Sequence, residues 1–419
     1  MSDESVKNNK NKKSLVPKFG PLHGLKVIDT CRYGACHLGA TLLAEFGAEV
    51  IHIDAPPFTS PTTDSYRFSE PLMPPYSENQ VSAHGVQNGR DKLALGLNFL
   101  NSQDGKEIFE GLIKWADIFI ESSRPGTLDR HGLSDSVLKK LNKKLSVIHL
   151  SGFGQTGPKR NDPSHDLDIQ AYTGFASLIG YDEEPLRVPW VIADYITSIW
   201  IAFSSVLAYM TSRSSDQGDI VDVAQYEMLV RILDPYYSFL ATYPQEEEPK
   251  RHGNDHPDLF PYRFYRCKDG WISVSAPYPA TWVRMRKILD LPPSYDDIKF
   301  RETKREEIEE AIKNWIIIRT VSEAEEILGK AGVPTSRVNN IRDFLNDPHV
   351  KSRNLITSWK DENIGEVRGI GVVPKFALNP GKIWRGFPKM GQDTDSILHE
   401  ILGLSDEKIK ALREGGIIA

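Results

Sequence analysis

Apolar positions along the chain recur with two different periods. Short apolar runs at 25–29, 47–54, 92–97, 117–121, 145–150 and 219–224 are bounded by small or polar residues and read as strands. Between them, 37–46, 105–115 and 134–141 carry apolar residues at helical spacing, and Met228, Leu229, Ile232 and Leu233 mark a helix after 219–224. Strands alternating with helices predict an α/β fold, a Rossmann-like large domain with an open parallel sheet. Further on, 263–267 and 271–275 flank the turn Lys268-Asp-Gly270 and predict a hairpin, with helices at 280–289, 304–318 and 322–331. This middle segment predicts a smaller α+β domain. Strands at 333–338, 355–359 and 367–373 and amphipathic helices at 394–402 and 406–413 complete the chain.

Shifts in composition divide the chain into a disordered tail over 1–18, a large domain over 19–225, a small domain with linkers over 226–350, and a return to the large domain over 351–419. The stretch 243–258 is acidic, polar and Pro-containing, as expected of a linker or mobile loop.

One segment, 188–200, concentrates the functional signal. Pro189 and the apolar residues before Asp194 suit extended chain, while Ile196, Ile199, Trp200, Phe203, Val206, Leu207 and Met210 follow at helical spacing and predict a buried helix. Asp194 therefore falls where irregular chain becomes helix. A helix start offers amide donors and positive partial charge, which hold a carboxylate ionised and oriented. On this stretch alone, an ordinary N-cap accounts for it.

Composition narrows the options. The 419 residues, 40% hydrophobic and 26% charged, suit a two-domain soluble protein. A net charge of −6 gives no bulk attraction to nucleic acid or to an anionic membrane. No apolar run reads as a membrane span, and the tail lacks the apolar core of a secretory signal, so a cytoplasmic location is expected. The cysteines, Cys31, Cys36 and Cys267, are few and odd in number, which argues against disulfides and for a reducing compartment. Without a second pair at matching spacing, a zinc site is disfavoured, and no metal is expected. Cys267 reads as a buried strand residue.

Ligands of open α/β sheets lie beyond the carboxyl ends of the strands, which directs attention to the loops after 29, 54, 121 and 150. The first, 31–39, lacks the G-x-G-x-x-G spacing, so a nicotinamide or flavin dehydrogenase is disfavoured. The third carries Arg124, Arg130 and His131 around Pro125-Gly126, and Arg90 with Lys92 opens a neighbouring strand. Such a set would hold the phosphates of a nucleotide-like cofactor. The fourth, Ser151-Gly-Phe-Gly-Gln-Thr-Gly-Pro158, offers close backbone approach and amide donors at Gly152 and Gly154. His165, Asp166 and Gln170 follow at the start of a helix.

Taken together, these stretches resemble the family III CoA-transferases of the CaiB/BaiF type. The markers are Pro21-Leu-His-Gly-Leu-Lys-Val, Leu43-Ala-Glu-Phe-Gly-Ala-Glu-Val-Ile, Pro125-Gly-Thr-Leu-Asp-Arg-His-Gly, the 151–158 loop, Ala193-Asp-Tyr and Gly391-Gln-Asp-Thr, in that order from about Pro17 to the C-terminus. Lys18-Phe-Gly-Pro-Leu, His149-Leu-Ser-Gly-Phe-Gly-Gln and Pro380-Gly-Lys-Ile-Trp-Arg-Gly resemble most the crotonobetainyl-CoA:carnitine branch.

The resemblance implies that Asp194 is a nucleophile, that Arg124 and Arg130 contact CoA phosphates, and that Asp166, Gln170 and Tyr195 line the site with His165. Arg32 falls in a loop where the family has Ala-Gly-Pro and this chain has Ala35-Cys-His37. A mobile lid is implied near Gly253-Asn-Asp, without the glycine run of the formyl-CoA branch. The implied substrates are an acyl-CoA and a small carboxylic acid, with one like carnitine among the candidates, and no permanently bound cofactor. An interlocked homodimer is implied as well.

The chemistry stands on general grounds. An unperturbed Asp has a pKa of roughly 3.9 and is ionised at neutral pH. Its attack on a thioester gives an anhydride and CoA thiolate, which returns to form an aspartyl-CoA thioester that a second acid reverses. The tetrahedral intermediates need donors, each worth about 3 kcal/mol, and Gly152 and Gly154 are possible sources. Two alternatives stay open: an acyl-CoA racemase or epimerase using His165, Asp166 and Asp194 for α-proton transfer, and a non-catalytic CoA-binding protein on the same fold.

Overall fold

The computed structural model describes residues 14–32, 34–55, 71, 73, 82–181 and 184–419. Strand β1 (Lys26–Asp29) is followed by α1 (Gly34–Ala44) and β2 (Glu49–Asp54), and α2 (Ala83–Asn88) leads into β3 (Leu93–Gly96). Next come α3 (Gln103–Trp115), β4 (Ile118–Glu121), α4 (Thr127–Arg130), α5 (Asp135–Leu141) and β5 (Ser146–Ser151). Then follow α6 (Asp166–Tyr172), α7 (Ile192–Ser215), β6 (Ile220–Ala224), α8 (Gln225–Arg231) and α9 (Asp234–Thr242). The six strands form one parallel sheet in the order β3-β2-β1-β4-β5-β6, the doubly wound arrangement expected from the alternating pattern.

Both faces of the sheet are covered, which is why its strands read as continuous apolar runs. Ile28 stands opposite Ile51 and Phe119 in register. These side chains pack on one face with Phe109 and Leu112 of α3. Their neighbours Val27, Val50, Ile118 and Ile120 point the other way and pack with Leu43 of α1 and Ile201 of α7. Ser102 fixes the start of α3, its hydroxyl accepting from the Gly105 amide at 3.2 Å.

Helix α7 corrects one expectation. The residues it buries are Ala193, Thr197, Ser198, Ile201, Ser205, Ala208 and Ser212. Ile199, Phe203, Leu207 and Met210 stay 47–64% exposed. The reason is close packing against α1: a Cβ on Gly39 would come within 2.7 Å of Ile201 Cγ2. Helices this near each other accept only small side chains between them, and a periodic pattern does not say which of two faces is covered. By length and composition alone α7 would also suit a membrane span, contrary to the expectation that no stretch does. Its small face packs against α1 and the sheet, and its outer stripe is apolar.

A second correction concerns the cysteines. Cys31 and Cys36 form a disulfide across the corner from β1 into α1, with Cα atoms 5.3 Å apart. The corner folds back on itself, a geometry that cysteine counting does not reveal. Cys267 is free and buried, one residue past the end of its strand.

The chain divides into two compact units. The first joins residues 1–175 to Arg187–Glu246 and Asn354–Ala419. Residues 226–246, placed with the small domain on sequence grounds, thus belong to the large one, because α8 and α9 continue directly from β6. The second unit comprises Ala176–Leu186 and Glu247–Arg353. In it β7 (Tyr262–Arg266), β8 (Trp271–Ser275) and β9 (Thr335–Arg337) form an antiparallel sheet. Helices α10 (Pro279–Ile288), α11 (Ile298–Thr303), α12 (Arg305–Ile317) and α13 (Val321–Lys330) accompany it, over a core that includes Ile272, Val274, Trp282, Ile308, Ile312 and Leu328.

The C-terminal part closes the first unit. The hairpin of Ile356–Asp361 with Gly365–Ile370 is antiparallel. Asp393 accepts from the Ala94 amide at 2.9 Å, and Leu97 bridges to Ile418, so the end of the chain seals the β3 edge. At the other end, Val16 is buried and Leu15 donates its amide to Glu49 at 2.8 Å. Residues 14–16 are therefore packed chain and not tail; of the rest of the expected tail, 17–18 are exposed and 1–13 lie outside the described residues.

Candidate active site

The sheet reverses its strand order between β1 and β4, and a cavity of about 730 Å³ opens beyond the carboxyl ends there. Its lining comes from Gly34 and Ala35 after β1, Ser122 to Pro125 after β4, Leu150 to Gly152 at β5, and Gln225 after β6. The start of α6 and the segment entering α7 complete it with His165, Asp166, Gln170, Arg187, Trp190, Val191 and Asp194.

Asp194 occupies the first turn of α7, where the helix field favours a carboxylate. The helix is not capped by its own entering residue: Val191 offers no side-chain bond. Asp166 performs that task from α6, its Oδ1 accepting from the Ala193 amide at 2.6 Å. Its Oδ2 accepts from Gln170 Nε2 at 2.5 Å, and Gln170 Oε1 accepts from the Val188 amide at 3.2 Å. One buried Asp–Gln pair thus pins both ends of 188–193. Trp190, between those bonds, takes a positive φ of 64°, a conformation that needs such support.

The nucleophile candidate itself is held by Gln225, the first residue of α8. Its Nε2 donates a hydrogen bond to Asp194 Oδ1, and the side chain is buried. Burial raises the Asp194 pKa to about 6, the Asp166 charge adds to this, and the Gln225 bond and His165 oppose it. The carboxyl is therefore ionised at neutral pH but far less readily than an ordinary Asp, a correction to the unperturbed value taken above. Partial desolvation makes a carboxylate a better nucleophile.

The glycine loop is shaped by packing. A Cβ on Gly152 would fall 1.7 Å from Ser164 Oγ, so only glycine fits against the chain entering α6. Gly152 O accepts from the Tyr226 amide at 3.2 Å, tying this loop to the start of α8. Gly154, at φ 86°, lies against Asp222 and Ala224 and is not part of the cavity lining.

Among the basic candidates, Arg124 lines the cavity. Its loop is braced from behind: Glu121 Oε2 accepts from the Ser123 amide at 2.7 Å, while Glu121 Oε1 lies 2.6 Å from His149 Nδ1. Burial disfavours a charged His149, but its bonds to Asp135 and Glu121 outweigh it and hold the pKa at about 10.

The other basic candidates lie off the lining. Arg130 is exposed and donates to Thr127 at 3.0 Å, and His131 bonds the Leu100 carbonyl at 2.8 Å. Arg32 is exposed outside the cavity lining, and so is half-buried Tyr195.

Arg90 and Lys92 are not phosphate ligands on this geometry. Arg90 is buried, bonds Glu45 at 2.5 Å and donates to the Ile370 carbonyl at 2.8 Å. Lys92 is buried 3.1 Å from Asp29 Oδ2 and 2.7 Å from His37 Nδ1. Asp29, His37 and His52 approach one another there, with the Lys92 ammonium 3.1 Å from Asp29 Oδ2. Burial alone would lower the His52 pKa, but Asp29 and Asp54 hold it up at about 9.

Sequence reasoning overlooked Gln225, Arg160, Arg187 and His84, all on the lining. Gln225 was within reach, since it directly follows a strand and the carboxyl-end rule covers β6 as well. Arg160 sits in a polar loop and Arg187 between Leu186 and Val188, and the only signal of either is its charge. His84 meets the Trp190 ring edge-on, with centroids 5.7 Å apart, a contact no local pattern predicts.

The chain is matched over residues 22–394 by the model of "CoA-transferase family III". It is 34% identical to a bile acid CoA-transferase, BaiK, of Clostridium scindens, over 96% of this chain and 90% of the relative. It is 31% identical to the succinyl-CoA–L-malate CoA-transferase beta subunit of Chloroflexus aurantiacus, over 95% and 98%. With the L-carnitine CoA-transferase of Proteus mirabilis it shares 29% over 96% and 97%. A CaiB/BaiF family protein from Brucella suis has the same fold, with a TM-score of 0.78 at 24% identity over 92% of this chain and all of that one. With its parallel sheet, its cavity at the sheet's reversal point and this match along nearly the whole chain, the protein belongs to CoA-transferase family III and is a CoA-transferase.

Proposed function

We propose that the enzyme moves CoA from an acyl-CoA thioester to a carboxylic acid through covalent intermediates on Asp194. The observation that carries this is the position of Asp194: in the first turn of α7, pinned by Asp166 and Gln225, on the wall of a cavity that Arg124, Arg160 and Arg187 also line. Asp194 attacks the acyl carbon and expels CoA thiolate. The thiolate adds to the aspartyl carbonyl of the anhydride and releases the first acid. The second acid discharges the aspartyl-CoA thioester by the reverse sequence, so thioester energy is conserved. The guanidinium of Arg124 suits the CoA phosphates.

For the acid, an acceptor like carnitine draws support from Trp190, whose exposed indole suits a quaternary ammonium. Guanidinium groups at Arg160 and Arg187 oppose a cationic acid and favour a plain or dicarboxylic one. A proton-transfer role for a His165–Asp166 pair has less support: the Asp166 carboxylate bonds Gln170 and Ala193, whereas exposed His165 sits 3.8 Å from Asp168.

The exposed stripe Ile199, Phe203, Leu207 and Met210 on α7 supports a homodimer, as the family resemblance implied. The test of function is product analysis by mass spectrometry. Acetyl-, crotonyl-, succinyl- and benzoyl-CoA are each offered with carnitine, succinate, malate and benzoate. A new acyl-CoA that appears only when a second acid is present, and is absent with Asp194→Ala, is the expected result. Exchange of α-hydrogen with solvent deuterium without an acceptor acid would favour the racemase, and unaltered acyl-CoA throughout would favour a binder.

A further inference from the structure

We propose that Gln225 is a catalytic residue, the oxyanion donor for the two steps in which the Asp194 carbonyl carbon is itself attacked. This rests on the covalent route above and assigns its chemistry to a side chain.

Two of the four displacements in that route occur at Asp194 Cγ and not at the substrate. In one, CoA thiolate adds to Cγ of the anhydride. The carbonyl π pair moves onto Oδ1, and the tetrahedral species collapses by expelling the first acid as carboxylate. In the other, the second acid's carboxylate adds to Cγ of the aspartyl-CoA thioester, the pair again moves onto Oδ1, and collapse expels thiolate. No proton is transferred in either step. Each needs a donor aimed at Oδ1, because that oxygen alone carries the developing charge.

Gln225 is built for this position. Its Nε2 already bonds Oδ1, leaving Oδ2 to attack the acyl carbon. A carboxylate accepts only, so the amide must present N–H and not its carbonyl to Asp194. The side chain is buried, and its helix start is anchored by the Tyr226 amide on Gly152 O, so the donor has little freedom to move away. A prepositioned donor in a water-poor site is the arrangement that stabilises an oxyanion most, and loss of one such donor lowers kcat about 100- to 1000-fold. The same bond serves the resting enzyme differently, by restraining the carboxylate. The two roles separate experimentally, since a restraint affects only the first attack.

The experiment follows single turnovers of the full-length enzyme and of Gln225→Leu, using whichever of acetyl-, crotonyl-, succinyl- and benzoyl-CoA reacts fastest with the wild type. Quenched samples are digested, and the CoA adduct on the Asp194 peptide is quantified. The discharge of the preformed adduct by the matching free acid is then timed. The proposal predicts that Gln225→Leu still loads CoA onto Asp194 but discharges the adduct about 100-fold more slowly. Gln225→Asn, with a shorter amide, should recover part of the rate. Discharge by Gln225→Leu at the wild-type rate overturns the proposal while leaving the Asp194 route intact. Absence of any Asp194 adduct in the wild type overturns both.

Discussion

Asp166 caps a helix to which it does not belong: its Oδ1 accepts from the Ala193 amide at 2.6 Å, across 27 residues of sequence. Because Ala193 is the residue before Asp194, this bond sets where the proposed nucleophile stands. Asp166→Ala leaves buried donors on Ala193 and Gln170 without partners, at a cost of about 2 kcal/mol. The expected outcome is a lower melting temperature together with a fall in kcat, read by calorimetry and steady-state assay. A variant that melts lower but keeps full kcat would show that the cap serves the fold alone.

Activity should depend on the ionisation of Asp194. With its pKa raised to about 6, kcat/KM is expected to fall about tenfold per pH unit below 6 and to level off above it. Asp166→Asn removes a charge that raises this pKa, so the acid limb should move to lower pH. The stability effect has the opposite sign. A carboxyl whose folded pKa is raised favours the fold below its unfolded pKa of roughly 3.9, and that contribution is lost as pH rises through about 6. Asp194→Asn should therefore melt higher than the wild type at pH 7.5 and equally at pH 4. Thermal melts of the pair at both values check this.

Two arginines, alike in sequence, should respond differently. Arg90 is buried against Glu45, so Arg90→Ala leaves an uncompensated buried charge and should cost about 3–5 kcal/mol. Arg124 is exposed on the cavity wall, so Arg124→Ala should leave stability unchanged and raise the KM for acyl-CoA about tenfold, the loss of one charge-assisted contact. Urea denaturation and kinetics on the two variants separate these effects.

If the outer stripe of α7 joins two copies, charge placed there should part them. Phe203→Glu combined with Leu207→Glu is expected to shift the sedimentation coefficient from dimer toward monomer. A wild type that sediments as a monomer would remove the proposed homodimer.

Much of the fold is legible from local pattern. Strands such as 145–150 declare themselves because parallel strands buried on both faces need unbroken apolar runs, and the site's edge follows from strand order. What is not legible is any feature set by two segments meeting. The covered face of α7 depends on Gly39 of α1, Arg90 is fixed by Glu45, and Cys31 finds Cys36 only because the corner folds back. Asp194 was visible because helix starts are local. The carboxyl-end rule reaches Gln225 too, but not its bond to Asp194, which joins two helices with a strand between.

The most direct measurement is the mass of the Asp194 peptide after the enzyme meets a reactive acyl-CoA with no acceptor acid. A CoA adduct on Asp194, discharged by added acid at a rate no slower than kcat and absent from Asp194→Ala, is the predicted result. Turnover by Asp194→Ala at the wild-type rate, or an adduct on any other residue, would contradict it.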